Sequence, residues 1–259
     1  MLDDLAQALQ RPALWLYTTW IQFLIIYRRT ALGPLWIILS PLAFIALLGL
    51  LFTVISHSNV SVFIPHMTIG FIVWTFISEI IGASSVLYIR SKSELMSGVT
   101  NHSVFHLRLI AKAAIKFLHQ VIIIIAVCII FQVPPTLKLL LLLPAILLLL
   151  IHAYWVSVLY SIIAARYRDV TQLTDLLLRI GFLATPVIWM PTDSGRGSVI
   201  GSYLMANPFY HVLEPVRSAI LGTAYPYNSL MISSVIALFG LLIANIFYKR
   251  FRKKAVLWI

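Results

Sequence analysis

The residues that could do chemistry are few. His102 and His106 stand four apart, a spacing that puts two imidazoles on one helical face as in a zinc helix. The residue after His102 is Ser103, so the glutamate of H-E-x-x-H is missing, and no third ligand follows. The pair reads as two interfacial histidines. No G-x-x-x-x-G-K-[ST] phosphate loop, no G-x-S-x-G nucleophile elbow and no paired carboxylates stand out in the 259 residues. The expectation is a chain that binds no metal or cofactor and makes no covalent change to a substrate. If ATP and magnesium power it, they act in a separate polypeptide.

Ionisable groups inside apolar runs are the sharper signal. Glu79 lies about 15 Å from Arg90 along a helix rising 1.5 Å per residue. A carboxylate at that depth is costly and faces a bundle interior or an aqueous path. Glu79 therefore reads either as pore-lining or as a protonated or hydrogen-bonded packing residue. Asp175 and Arg179, at i,i+4, can pair and lower each other's cost. Cys128 stands alone in an apolar run and reads as a small packing residue. Trp36, Phe44, Trp74, Phe76, Phe182 and Trp189 suit lipid-facing or packing positions, or stacking on sugar rings.

The elements that must position these residues follow from composition. The chain is 61% hydrophobic and 10% charged, with mean hydropathy +0.98. A soluble domain is roughly a quarter charged, so the chain reads as one membrane domain over residues 1–259. Six runs are predicted to span: Pro34–Ile55, Phe63–Ile89, Leu109–Phe131, Leu137–Ala165, Leu173–Met190 and Leu230–Tyr248. No period-two alternation is present in runs such as Leu139 to Ile151, so the spans are helices rather than barrel strands. Lys112 and Lys116 can snorkel to the interface. The fold expected is all-α and polytopic, with residues 1–33 forming an interfacial segment and 249–259 a basic tail.

The net charge of +11 comes from short Lys and Arg clusters between apolar runs, a pattern for anionic inner-leaflet lipid and not for nucleic acid. With the N-terminus inside, sixteen cations fall on the inner side and three, Lys138, Arg196 and Arg217, on the outer. Both termini are therefore expected in the cytoplasm. Met1-Leu2-Asp3-Asp4 lacks the positive start of a signal peptide. Pro12–Tyr27 is apolar but only 16 residues long, and Arg11, Thr18, Gln22 and Arg29 share one narrow face. It reads as an amphipathic helix in the inner interface. In Pro191–Asn228, Phe209, Val212, Leu213, Val216 and Ile220 recur at helical spacing and Glu214 pairs with Arg217 at i,i+3. One or two short helices dipping into the outer leaflet are predicted there.

Three ordered motifs carry a resemblance: Tyr27-Arg28-Arg29-Thr30-Ala31-Leu32-Gly33-Pro34-Leu35-Trp36; Ala165-Arg166-Tyr167-Arg168-Asp169-Val170 followed by Thr185-Pro186-Val187-Ile188-Trp189; and Asn207-Pro208-Phe209-Tyr210-His211-Val212. Together they resemble the ABC-2 type export permeases, the membrane half of exporters for O-antigen, capsule and teichoic acid chains. The resemblance covers essentially the whole chain. It implies a homodimer in the inner (cytoplasmic) membrane with two copies of a separate ABC ATPase, moving a lipid-linked polysaccharide. It also implies an interfacial N-terminal helix, six spans and short outer re-entrant helices.

By the same resemblance the substrate comes in near Leu32-Gly33, with Arg28 and Arg29 either contacting its pyrophosphate or serving as ordinary positive-inside anchors. Trp36, Trp74, Glu79 and Phe182 would line the pore, and Asn207, Pro208 and Phe209 would form the outer gate. The loop from Arg90 to Arg108 would couple to the ATPase through Ser97, Asn101 and His102, although Ser97-Gly98-Val99-Thr100-Asn101-His102 departs from the family's usual loop. Rival readings are a permease for a small molecule or drug, a transferase on lipid-linked sugars, and a secondary transporter using Glu79. The first would often carry a large outer domain, the second a carboxylate or histidine cluster at one interface.

Overall fold

The computed structural model describes residues 1–56, 59–98, 101–191, 199–223 and 227–259, and among them there is helix and no strand. The helices are α1 (Leu2–Gln10), α2 (Pro12–Tyr27), α3 (Trp36–Ser56), α4 (Val60–Ser85), α5 (Leu87–Arg90), α6 (Lys92–Met96), α7 (Ser103–Ile130), α8 (Leu142–Arg166), α9 (Val170–Ala184), α10 (Val199–Ala206), α11 (Pro208–Leu221) and α12 (Tyr227–Trp258). Short 3₁₀ turns at Gly33–Leu35 and Leu137–Leu141 lead into α3 and α8.

Local chemistry sets the breaks. Arg11, at φ −122°, separates α1 from α2, and Pro12 suits the first turn of α2 because its missing N–H would have had no helical acceptor. Asn59 caps α4 by accepting from the Ser61 N–H at 3.1 Å. Pro186 forces Thr185 out of the helical region to φ −93°, ψ 141°, which stops α9. Gly222 ends α11 at φ +65°, the left-handed position that glycine adopts without a Cβ penalty.

Five segments are long and apolar enough to cross a membrane: Gly33–Phe52, Val60–Ser85, Ser103–Ile130, Leu137–Arg166 and Asn228–Trp258. Of these α4 is the central helix, with 67% of its most apolar stretch buried against 22–28% for the other four. The others turn one face to α4 or its neighbours and leave Leu and Ile side chains on the outside, as a bundle in lipid does.

Among the described residues, polar contacts tie the helices together at two ends of this bundle. Basal contacts gather α1, α5, α6 and the last turns of α12: Asp4 meets Tyr248 and Arg252, and the Arg166 guanidinium lies over the Trp258 ring. Distal contacts gather the start of α4, the residues after α9 and the end of α11: Arg217 reaches His66 and Pro186, and Lys138 donates to the Gly222 and Thr223 carbonyls. α9 climbs from the basal to the distal side.

Three details differ from the sequence reading. The predicted span Leu173–Met190 is a helix only to Ala184; its 15 residues cover roughly 22 Å at 1.5 Å per residue, and the chain beyond it turns and bends, with the Val187 N–H donating to the Thr185 carbonyl. α2 is apolar round nearly all of its circumference, with Thr19 and Phe23 buried against α7, so the strongly amphipathic helix is α1. Residues 249–258 are not a tail, because α12 continues unbroken through the basic cluster to Trp258. Where one or two short helices were expected in Pro191–Asn228, the described residues form α10 and α11; Arg196 lies outside the described residues.

Candidate functional site

Midway along the bundle, aromatic rings from four helices meet. Trp74 of α4 lies 6.0 Å from Phe182 of α9 and 5.3 Å from Phe209 of α11, centroid to centroid, and Phe71 and Phe44 extend the group toward α3. Gly181 makes the close approach possible, since a Cβ there would sit 2.8 Å from Trp74 Cη2. The structure thus joins Trp74 and Phe182, expected in the pore, to Phe209, expected at the gate. Trp36 is elsewhere, exposed at the start of α3. Such rings offer apolar faces that can stack on a sugar or bury a chain.

Asn207 stitches the start of α11 to the end of α9. Its Oδ1 accepts from the Phe209 and Tyr210 N–H groups, capping α11, while its Nδ2 donates to the Ala184 carbonyl and Thr185 Oγ1, each at 3.2 Å. One side chain so satisfies the start of α11 and the end of α9. Pro208 occupies the first turn of α11 and lines an apolar cavity of about 290 Å³ between α4, α8, α9 and α11.

Below the distal surface Arg217 is almost fully buried, 1% exposed. It donates to Glu214, to the Pro186 carbonyl at 2.6 Å and to His66 Nε2 at 2.9 Å. Gly70 leaves the room, because a Cβ there would lie 3.2 Å from Arg217 Nη1 and 3.1 Å from the Val187 carbonyl. The Glu214–Arg217 pair was legible as i,i+3; its ties to α4 and to Pro186 were not, being 151 and 31 residues away.

Glu79 does not hang free. Lys116 Nζ donates to both of its oxygens at 2.8 and 2.9 Å, so the lysine is held in an ion pair and does not simply snorkel. Asp175 and Arg179 do not pair. Both are exposed on α9, and the ion pairs among the described residues are Glu94–Arg108, Glu79–Lys116, Glu214–Arg217 and Asp4–Arg252.

At the basal end Arg28 and Arg29 stand exposed in the turn after α2, without a partner among the described residues. Leu32 is exposed beside them, and Gly33, at φ +54°, turns the chain into α3. The three expected coupling residues fare differently. Ser97 is exposed and donates to the Glu94 carbonyl, while Asn101 donates to the Asp4 carbonyl at 2.8 Å. His102 is buried against Tyr88 and Tyr248, a packing position that a docking protein would not reach. Val99 and Thr100 lie outside the described residues. His106 is buried too, bonded to Ser157 Oγ at 2.7 Å, so both histidines are helix-packing residues.

Burial first, and the Arg252 charge second, hold His102 below its ordinary value of 6.5. The folded protein therefore keeps this imidazole neutral while the unfolded chain takes up a proton as pH falls below 6.5. The sign follows: the contribution is complete above that pH and is lost on acidification, by at most about 1.4 kcal/mol per pH unit. Thermal melts between neutral and acid pH are expected to show this loss, and His102→Gln to flatten it. An unchanged slope in the variant would remove His102 from the account.

A helical bundle of long apolar helices, tied at both ends by polar clusters and with aromatic rings meeting midway, defines a polytopic α-helical membrane protein. The sequence matches the ABC-2 type transporter family over residues 13–221, and the chain belongs to that family, whose members are membrane subunits of transporters. It is 24% identical over 219 residues to the O-antigen export system permease protein RfbA of Myxococcus xanthus, covering 83% of this chain and 84% of that one. It is 22% identical over 164 residues to the protein of the same name from Klebsiella pneumoniae, covering 63% of each.

Proposed function

We propose that this chain is the membrane-spanning subunit of an ATP-driven exporter that moves a lipid-linked polysaccharide, of O-antigen or capsule type, across the cytoplasmic membrane. The observation that carries the reading is its likeness, over most of its length, to permeases of O-antigen export. In this reading both termini face the cytoplasm, two copies of the chain form the pathway, and two copies of a separate ABC ATPase bind the basal face and hold the ATP and magnesium. The exposed surface of α9 supports pairing of two subunits. It is a row of Leu173, Leu176, Leu177, Ile180 and Leu183 interrupted by the unpaired Asp175 and Arg179. Charges with no partner are costly against lipid and are better accommodated against protein or water.

Arg28 and Arg29 would receive the pyrophosphate of the substrate at the turn around Leu32 and Gly33, their planar guanidinium groups matching phosphate oxygens two at a time. Trp74, Phe182 and Glu79 would then line the path, with Asn207, Pro208 and Phe209 closing its outer end. ATP binding in the partner acts through the segment from Arg90 to Asn101 and changes which conformation the bundle favours. The chain supplies contacts that differ between those states and breaks no bond.

Depletion of the protein in its native cell, followed by glycan staining of surface and cytoplasmic fractions, tests the reading. Long-chain polysaccharide should vanish from the surface and accumulate inside. Unchanged surface glycan would overturn it in favour of a small-molecule permease; loss from both fractions would point to biosynthesis. In the same assay Arg28→Ala with Arg29→Ala should lower export about tenfold or more, since two charge-assisted phosphate contacts are lost. Lysines at both positions should restore only part of it. Full export by the alanine pair would leave these residues as lipid anchors.

A further inference from the structure

A basal cavity borders the residues of this transport reading, sharing Glu79 and Arg90 with it. A cavity of about 300 Å³ opens between α2, the ends of α4 and α5, α6 and the first turns of α7. Gln22, Glu79, Arg90, Glu94, Arg108 and Lys112 line it. Three cations face two carboxylates there, and the carboxylates are already engaged. Glu94 accepts both nitrogens of the Arg108 fork at 3.0 and 2.7 Å, and Glu79 accepts Lys116. Arg90 and Lys112 make no hydrogen bond or ion pair among the described residues, although Lys112 lies in the field of Glu79, and the Arg108 Nε is a buried donor without an acceptor. The buried donor is costly while unpaired, and the exposed Arg90 and half-buried Lys112 leave the hollow with an excess of positive charge that attracts an anion.

We propose that this cavity binds a phosphate group, held by Arg90 and Lys112 with the Gln22 amide alongside, and that its source is the headgroup of an anionic membrane lipid. The volume suits a phosphate with a few waters, each water occupying about 30 Å³. Exposed Ile21 and Ile25, on the face of α2 next to Gln22, provide an apolar surface on which acyl chains of such a lipid lie. Arg90 ends α5, and Glu94 belongs to α6, immediately before the turn at Ser97. A bound headgroup braces that segment against α2 and α7. Lipid composition thereby sets the pose of the surface that an ATPase would read.

The test measures lipid retention and needs no transport, so it can fail while the export reading stands, and the reverse. The full chain is purified in mild detergent, offered phosphatidylglycerol or phosphatidylcholine, and weighed intact by native mass spectrometry. A parallel arm offers millimolar inorganic phosphate alone. Wild type should retain phosphatidylglycerol in preference. Arg90→Gln and Lys112→Gln should each weaken retention about fivefold, as loss of one cation near an anionic surface does. Arg90 is exposed, so its variant keeps the fold even if Lys112→Gln does not. Lys253→Gln, an exposed cation on α12, should retain lipid as wild type does. Binding of inorganic phosphate that needs Arg90 and Lys112, without preference for phosphatidylglycerol, would support the phosphate site and replace its source. Equal retention by wild type and the Arg90→Gln and Lys112→Gln variants with both probes would overturn it, as would an equal loss in Lys253→Gln.

Discussion

Arg217→Ala should destabilise the protein by about 3–5 kcal/mol, the range for removing one partner from a buried charged cluster. The loss has three parts. Glu214 is left charged and mostly enclosed, 15% exposed, with no cation. The Pro186 carbonyl and His66 Nε2 lose their donor where water does not replace it easily. The turn after α9 loses its tether to α4 and α11, so the segment around Pro186 is loosened. Thermal unfolding in detergent, followed by tryptophan fluorescence, measures the effect. Arg217→Met combined with Glu214→Gln should recover part of the loss, because it removes both charges together. A melting point for Arg217→Ala equal to wild type would show that the cluster contributes nothing net.

Gly240→Ala should cost about 1–3 kcal/mol, an overpacking penalty out of proportion to one methyl group. α8 and α12 run side by side, with Ser233, Ala237, Gly240 and Ala244 forming a stripe of small buried residues on α12. A Cβ on Gly240 would lie 2.4 Å from two atoms of the Trp155 indole. That ring is not free to yield, because its Nε1 donates to His152 Nδ1 at 3.0 Å and His152 is in turn bonded to Ser233. Helices in lipid associate through such close packing, with no hydrophobic drive to replace it. A double-mutant cycle with Trp155→Leu should recover most of the penalty. Additive losses would place the strain elsewhere.

Most of the long helices could be read from the sequence because a bilayer demands uninterrupted apolar runs, and Pro34–Ile55 and Leu137–Ala165 agree with α3 and α8 within a few residues. α9 was overread for a physical reason. Val187–Met190 is apolar, which fits a span, yet Pro186 ends the helix whatever the hydropathy of the residues beyond it. The basic end of α12 was underread for the converse reason: charge limits insertion into lipid but does not stop a helix. The site was legible only where partners are close in sequence. Glu214 and Arg217 are three apart, whereas Glu79 and Lys116 are 37 apart on different helices. Hydropathy carries no information on which helices become neighbours, so the aromatic meeting of Trp74, Phe182 and Phe209 and the cavity beside Arg90 were visible only as unconnected residues.

The bonds of Asp4 with Tyr248 and Arg252 impose an order of events. Asp4 is made well before its hydroxyl donor, which lies 244 residues further on. At 5–20 residues per second the interval is roughly 10 to 50 seconds. During it the carboxylate is unsatisfied and α1 has no partner on α12. Asn101, whose amide rests on the Asp4 carbonyl, is meanwhile anchored to a helix that is itself not yet fixed. The turn at Ser97 can reach its final shape only after α12 has been threaded into the membrane. Maturation of the basal surface thus waits for the completion of α12.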